Sequence, residues 1–369
     1  MRKLLLFVGL LLVGLGLAFA QVSKQGATSA AKKGTAPASA DQPKWKGVWE
    51  PANYPKDINL LDVKFVSAEE GWAVGDKNTI LHTKDGAKTW EAQLGGDPES
   101  TDRELWEVFF LDAKQGWTRG GAEKLMRTSN GGASWEEVGR LSQHQLALNF
   151  VSPQTGFTAD RVIQRTDDGG KTWKPVLQCA VDLQVDGLAR KIDCYFRDLT
   201  FPSTTAGYAV GQLTGAKSGT VVARTKDGGG TWTLSAPENM EDNGMQAFFW
   251  NENSGLVTMY AGKTLMTTDG GQTWNGIVTP FGGERARYAM GGGKLGVIIQ
   301  YRQIAYSTNG GRSFSARAFP VPAGVTAVTF PDAKHGYLVG EHGMIYRYHI
   351  VPADYNVKGM IPAPMVAGN

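Results

Sequence analysis

Cysteine is nearly absent from this chain: Cys179 and Cys194 are the two among 369 residues. Two thiols cannot build a disulfide-rich scaffold or a four-thiolate zinc site. Net charge is also slight, +3, which removes the electrostatic case for nucleic acid, and none is expected as a partner. The five histidines (His82, His144, His335, His342 and His349) form no His-x-x-x-His or His-Glu-x-x-His pattern. Neither a metal nor a cofactor is therefore expected. No phosphate loop and no Gly-x-Ser-x-Gly elbow is present. At 20% charged and 41% hydrophobic residues, the chain fits neither a disordered nor a polytopic membrane protein. Its excess is in glycine, 48 residues, and tryptophan, 11 residues. Glycine at about twice its usual share, without a G-X-Y period, points to many tight turns and short strands.

The first residues read as an address. Arg2 and Lys3 precede an apolar run from Leu4 to Ala20 that ends in Ala18-Phe19-Ala20, a small-x-small cleavage pattern. Residues 1–20 are expected to be a signal peptide cut before Gln21, which makes the protein exported. No cysteine lies near the cleavage point, so a lipoprotein anchor is not expected. Residues 21–44 are rich in Ala, Ser, Thr, Gly and Lys and are expected to be a flexible linker. The folded part is expected over 45–350, followed by a tail over 351–369.

Beneath the glycine count lies a repeat. One octamer recurs six times: TKDGAKTW (83–90), TSNGGASW (128–135), TDDGGKTW (166–173), TKDGGGTW (225–232), TTDGGQTW (267–274) and STNGGRSF (307–314). Its chemistry is that of a turn. Asp85, Asn130, Asp168, Asp227, Asp269 and Asn309 can accept from backbone N–H groups just ahead of them, and the glycines supply positive φ. Trp90, Trp135, Trp173, Trp232, Trp274 and Phe314 then open the next strand and cover the turn with apolar surface. With one or two carboxylates each, these boxes are too poor in oxygen for a calcium site.

A second signal precedes each box: an aromatic or β-branched run, then glycine and an apolar residue. The glycines are Gly71, Gly116, Gly156, Gly207, Gly255, Gly296 and Gly336. From this glycine to the box aromatic is 17–19 residues in five of the six complete repeats and 25 in the fourth, which therefore holds an insertion. A period of 40–50 residues with four short strands predicts an all-β, seven-bladed β-propeller of four-stranded antiparallel blades. The seventh repeat lacks a box. Trp49-Glu50 matches Trp90-Glu91 and Trp135-Glu136, so residues 46–50 are expected to supply its outer strand and close the ring. A closed ring has no edge that demands pairing, and a monomer is expected.

The octamers resemble Asp-box, or bacterial-neuraminidase-type, repeats. The full unit, carried best by GWAVGDKNTILHTKDGAKTW (71–90), resembles the photosystem II stability and assembly factor family over roughly 45–349. That resemblance implies a seven-bladed propeller on the lumenal or periplasmic side of a membrane. It also implies a non-enzymatic scaffold, whose partner is a membrane-protein client or an extracytoplasmic segment of one. The family's client contact is an arginine patch. By position in the repeat, the resemblance nominates Arg103, Arg119, Arg161, Arg197, Arg285, Arg287 and Arg302, among interspersed acids.

With strands running from the axis outward, the boxes lie on one rim and the second-to-third-strand loops and inter-blade connections lie on the other. The fourth blade is unusual on that second face. A long connection (177–198) enters it, and its own loop (212–221) holds the insertion. Cys179 and Cys194 both lie in the connection and, in an exported protein, are expected to form a disulfide. Because Asp boxes also occur in sialidases, a secreted glycan-binding or glycoside-hydrolysing propeller is the alternative reading. Against it, the sialidase Arg-Ile-Pro motif is absent and no pair of carboxylates stands out as catalytic.

Overall fold

A computed structural model describes residues 44–142, 147–215, 218–283 and 286–366. The expected signal peptide, and the expected linker apart from Lys44, lie outside the described residues.

The described chain forms seven antiparallel sheets arranged as a β-propeller. Blade 1 runs outward through Leu60–Phe65, Gly71–Gly75, Thr79–Thr83 and Glu91–Leu94. Blades 2, 3, 5 and 6 repeat this order over 105–140, 147–178, 244–277 and 287–317. Among the described residues the only helical turns are two three-residue 3-10 turns, Gly121–Glu123 and Glu341–Gly343.

The glycine–aromatic signal has a steric cause. In blade 1 Phe65 pairs with Gly71 across the first two strands. A Cβ on Gly71 would lie 2.5 Å from the Phe65 ring, so the ring lies flat on bare backbone. The same holds for Gly116 under Phe110, Gly156 under Phe150, Gly207 under Phe201, Gly255 under Phe249 and Gly336 under Phe330. The apolar residue after the glycine then reaches across to the next blade. Trp72 stacks on Phe110 at 3.6 Å, Trp117 on Phe150 at 3.8 Å, Phe157 on Phe201 at 4.7 Å and Tyr208 on Phe249 at 3.6 Å. Tyr337 stacks on Phe65 at 3.5 Å and so joins the last blade to the first. Leu256 and Val297 occupy the equivalent positions of blades 5 and 6, where an aliphatic side chain takes the place of the stacked ring.

Each box is a hydrogen-bonded turn. In the first, Thr83 Oγ1 donates to Asp85 Oδ1 (2.9 Å), and Thr89 donates to Asp85 through N (2.9 Å) and Oγ1 (2.6 Å). Asp168, Asp227 and Asp269 repeat the pattern. In the second and sixth boxes Asn130 and Asn309 instead donate through Nδ2 to Ser134 and Ser313. In every box the first glycine N–H also bonds to the preceding hairpin of its own blade, as Gly86 N does to Glu69 O (2.9 Å).

Two blades have a fifth strand. In blade 7, Val325–Thr329, Gly336–Gly340 and Ile345–Pro352 are followed outward by the amino-terminal Trp45–Pro51. The expected closure by residues 46–50 is therefore present. Ile361–Ala363 pairs on the outer side of that strand, so the segment read from sequence as a tail contributes a strand of its own. In blade 4, the stretch read as a loop-like connection is a hairpin of Ala180–Val185 and Leu188–Thr200. Asp186 and Gly187, at φ 53° and 75°, turn it, and such a pair suits a two-residue type I′ turn. Only the carboxyl-terminal part of Leu188–Thr200 is the blade's inner strand; its first half stands above the rim, carrying Ala180–Val185 at its side. The two ends of the expected 212–221 loop are likewise strand, Gly207–Leu213 extending to meet Thr220–Thr225.

Candidate partner-binding face

The loop rim, opposite the boxes, collects the side chains that the repeat does not demand. Its centre is a polar layer on the inner strands. Asp62, Glu107, Asp198, Gln246 and Arg287 each sit three residues before the residue that lies against the repeat glycine (Phe65, Phe110, Phe201, Phe249 and Met290). Asp62 Oδ1 accepts from Val63 N (2.8 Å) and Oδ2 from Val108 N of the next blade (2.9 Å). Asp198 does the same with Leu199 N (2.8 Å) and Ala247 N (2.9 Å). Each carboxylate thus ties one inner strand to the next. Burial pushes both carboxyls up to about 7 against the pull of those N–H donors. Glu107 adds to the rise and Arg287 opposes it for both, so charges from blades 1, 2, 4 and 6 converge at the axis. Burial also lowers Lys64, which lies 5.7 Å from the Phe109 ring centroid.

The nominated arginines divide between this centre and the rim around it. Arg119 lies opposite Glu107 on the adjacent strand, and its Nε donates to Glu107 Oε2 at 2.6 Å. Arg287 donates through Nε to Thr326 O of blade 7 (3.0 Å). Arg197 donates to Gln212 Oε1 and to Tyr195 OH, both at 3.1 Å, and lies over the Tyr195 ring. Arg103, Arg161 and Arg302 are exposed on connections and turns. Arg302 donates to Val321 O (2.7 Å), and Arg161 lines a hollow of about 390 Å³ with Arg140, Asp160 and Trp173. Arg285 lies outside the described residues. The structure thus gathers Arg119 and Arg287 around the axial acids and spaces the other described arginines around the rim.

Sequence reasoning passed over Asp62 and Glu107. The signal was available: aligning the seven repeats puts Asp62, Glu107, Asp198 and Arg287 in one column. It also passed over the exposed Trp106, Leu188, Tyr260 and Tyr301, all on this rim. Cys179 and Cys194 form a disulfide at the base of the blade-4 hairpin, both buried. Among the described residues no group of three or more His, Cys, Asp or Glu side chains is placed to hold a metal ion.

The model of the family described as photosynthesis system II assembly factor YCF48 matches residues 42–181. The photosystem II assembly lipoprotein Ycf48 of Picosynechococcus sp. is 29% identical over 325 residues, 81% of this chain and 87% of that protein. The photosystem II stability/assembly factor HCF136, chloroplastic, of Arabidopsis thaliana is 26% identical over 349 residues, 85% of this chain and 81% of that one. Two solved structures share the fold. YCF48 bound to D1 peptide covers 84% of this chain and 98% of its own, at TM-score 0.59 and 19% identity. YCF48 from Cyanidioschyzon merolae covers 82% and 98%, at 0.60 and 17%. A Staphylococcus aureus virginiamycin B lyase superposes almost as well, TM-score 0.57 at 13% identity over 83% of this chain. Likeness at that level speaks for the propeller alone.

Proposed function

We propose that this chain, which is similar to photosystem II assembly factor propellers, is a non-enzymatic, exported scaffold. It would bind an extracytoplasmic segment of a membrane-protein client through its loop face. The observation that carries this reading is the likeness to a named assembly factor along four-fifths of the chain, boxes and inter-box segments alike. The arginines support it. Arg119 and Arg287 stand at the axial mouth, Arg103, Arg161 and Arg302 surround it, and arginine is a frequent anchor at protein interfaces. A solved relative is described as bound to a D1 peptide, which makes a peptide segment the form of client to test first. The glycoside alternative lacks support at the axis. Asp62 and Asp198 each serve two backbone N–H groups and Glu107 holds Arg119, so none of these three carboxylates, the axial ones among the described residues, is free to act as acid or nucleophile.

The test is affinity purification of the tagged protein from native membranes. An integral-membrane protein should be enriched, and the triple variant Arg103→Glu, Arg161→Glu, Arg302→Glu should reduce its recovery at least about tenfold, in line with loss of interface anchors. If no such protein is enriched, or if the triple variant recovers it equally, the reading fails.

A further inference from the structure

The blade-4 hairpin forms one wall of a groove of about 470 Å³ on the loop rim. Leu183 on the hairpin and Ala236 and Pro237 at the start of the connection to blade 5, all half-buried, give it apolar sides, and the buried Leu213 and Met240 lie beneath them. Asp182, Glu238 and Glu241 stand around them, all exposed. None of these three carboxylates is in an ion pair among the described residues, including with Lys191, which faces Asp182 across the hairpin.

The groove is preformed, because each wall is bonded to the next. The Cys179–Cys194 disulfide fixes the base of the hairpin, and Cys194 is in register with Leu213. Leu213 N donates to Gly219 O (2.9 Å), and Thr220 N to Met240 O (2.8 Å). Met240 N closes its own turn on Pro237 O (3.1 Å). A ligand entering such a groove does not have to order it first.

We propose that this groove is a docking site for an extended peptide segment of a partner protein, one that carries a lysine or arginine beside an apolar residue. A long cationic side chain matches both halves of the lining. Its methylene stem would lie along Leu183, Ala236 and Pro237 while its charged head meets the three carboxylates. A neutral or acidic segment would leave those carboxylates desolvated without compensation. The site shares no residue with the arginines proposed above for the client and is opposite to them in charge, so it selects a cationic segment of a partner that those arginines would repel.

The probe is a fluorescein-labelled peptide of alternating leucine and lysine, eight residues long, with its glutamate counterpart as control. Binding to the purified full chain is followed by anisotropy. The lysine peptide should bind at least about tenfold more tightly than the glutamate peptide and weaken several-fold as salt is raised. Glu238→Lys with Glu241→Lys should remove most of that difference, whereas Glu99→Lys, an exposed acid elsewhere on the same face, should leave it intact. An unchanged near-ultraviolet circular dichroism spectrum confirms that the double variant is folded. Equal binding of the two peptides overturns the proposal. So does equal loss in the Glu99→Lys control, or concentration-dependent self-association that the double variant abolishes, since the groove would then serve a second copy of this chain. None of these outcomes bears on arginine-dependent recovery of a membrane client.

Discussion

Asp62 and Asp198 hold opposite consequences for stability from the aspartates of the boxes, although both kinds of carboxylate accept backbone hydrogen bonds. Side-chain and backbone donors from Thr172 hold Asp168 down at about 2, and those from Thr231 do the same for Asp227. A depressed carboxyl contributes stability above its unfolded value, which is lost as pH falls toward 2. Burial raises Asp62 and Asp198 to about 7. The folded state then binds more protons than the unfolded one between about pH 4 and 7, so their contribution is full at the acid end and lost as pH rises. The melting temperature should therefore decline from pH 5 to pH 8. In Asp62→Asn and Asp198→Asn that decline should flatten, even though each variant is less stable at pH 5 for want of one acceptor. Thermal scans across this range decide it; an unaltered slope in both variants would exclude the axial carboxyls as its source. These residues also mark the limit of reading one sequence. Asp85 and Trp90 announce themselves because the octamer repeats in series along the chain. Asp62 acts through a residue of the next blade, Val108, forty-six positions away, and the column it shares with Glu107, Asp198 and Arg287 shows only when the repeats are aligned on one another, not along the chain.

At the scale of the element, most of the propeller was legible because each blade repeats one rule. Glycine lies under an aromatic ring, an apolar side chain reaches to the next blade, and a box turns the outer hairpin. The blade-4 hairpin was not legible as a hairpin, because it follows no repeat. Its Asp186-Gly187 turn signal was there, but it was embedded in a stretch whose length suggested a loop. The hairpin has few neighbours of its own, and its disulfide closes about 15 residues. On a chain-entropy estimate such a closure contributes roughly 3 kcal/mol. Replacing both cysteines by alanine should therefore lower global stability by no more than about that amount. It should also open residues 180–193 to limited proteolysis well before the rest of the propeller is cut. Cleavage spread evenly over the seven blades would show that the bridge supports the ring and not the hairpin.

For the whole molecule, the decisive element is the amino-terminal strand. Trp49 is fully buried, and its Nε1 donates to Tyr306 OH of blade 6 (2.9 Å). Glu50 meets Arg347 (2.8 Å) and Tyr355 (2.9 Å). One short strand thus joins the last two blades and the carboxyl-terminal segment. Removing residues 44–51 would bare the edge of Ile345–Pro352 over its whole length, and an open edge recruits other chains. The truncated protein should elute as oligomers or aggregate in size-exclusion chromatography, where the intact chain is expected to elute as a monomer. A monodisperse, cooperatively folded truncated monomer would show that the clasp is dispensable.

The same clasp sets an order of events in time. Trp45 pairs with Pro352, so the first strand of the folded part is made about three hundred residues before its partner. At a synthesis rate of ~5–20 residues per second, that is a wait of roughly 15 to 60 seconds. Throughout it, seven residues that include Trp45 and Trp49 have no sheet to join, and six blades stand with their ring unclosed. Contacts between segments so distant along the chain are the slow ones to form. The step most exposed to misassembly is thus the last one, and it waits on the synthesis of Ile345–Pro352.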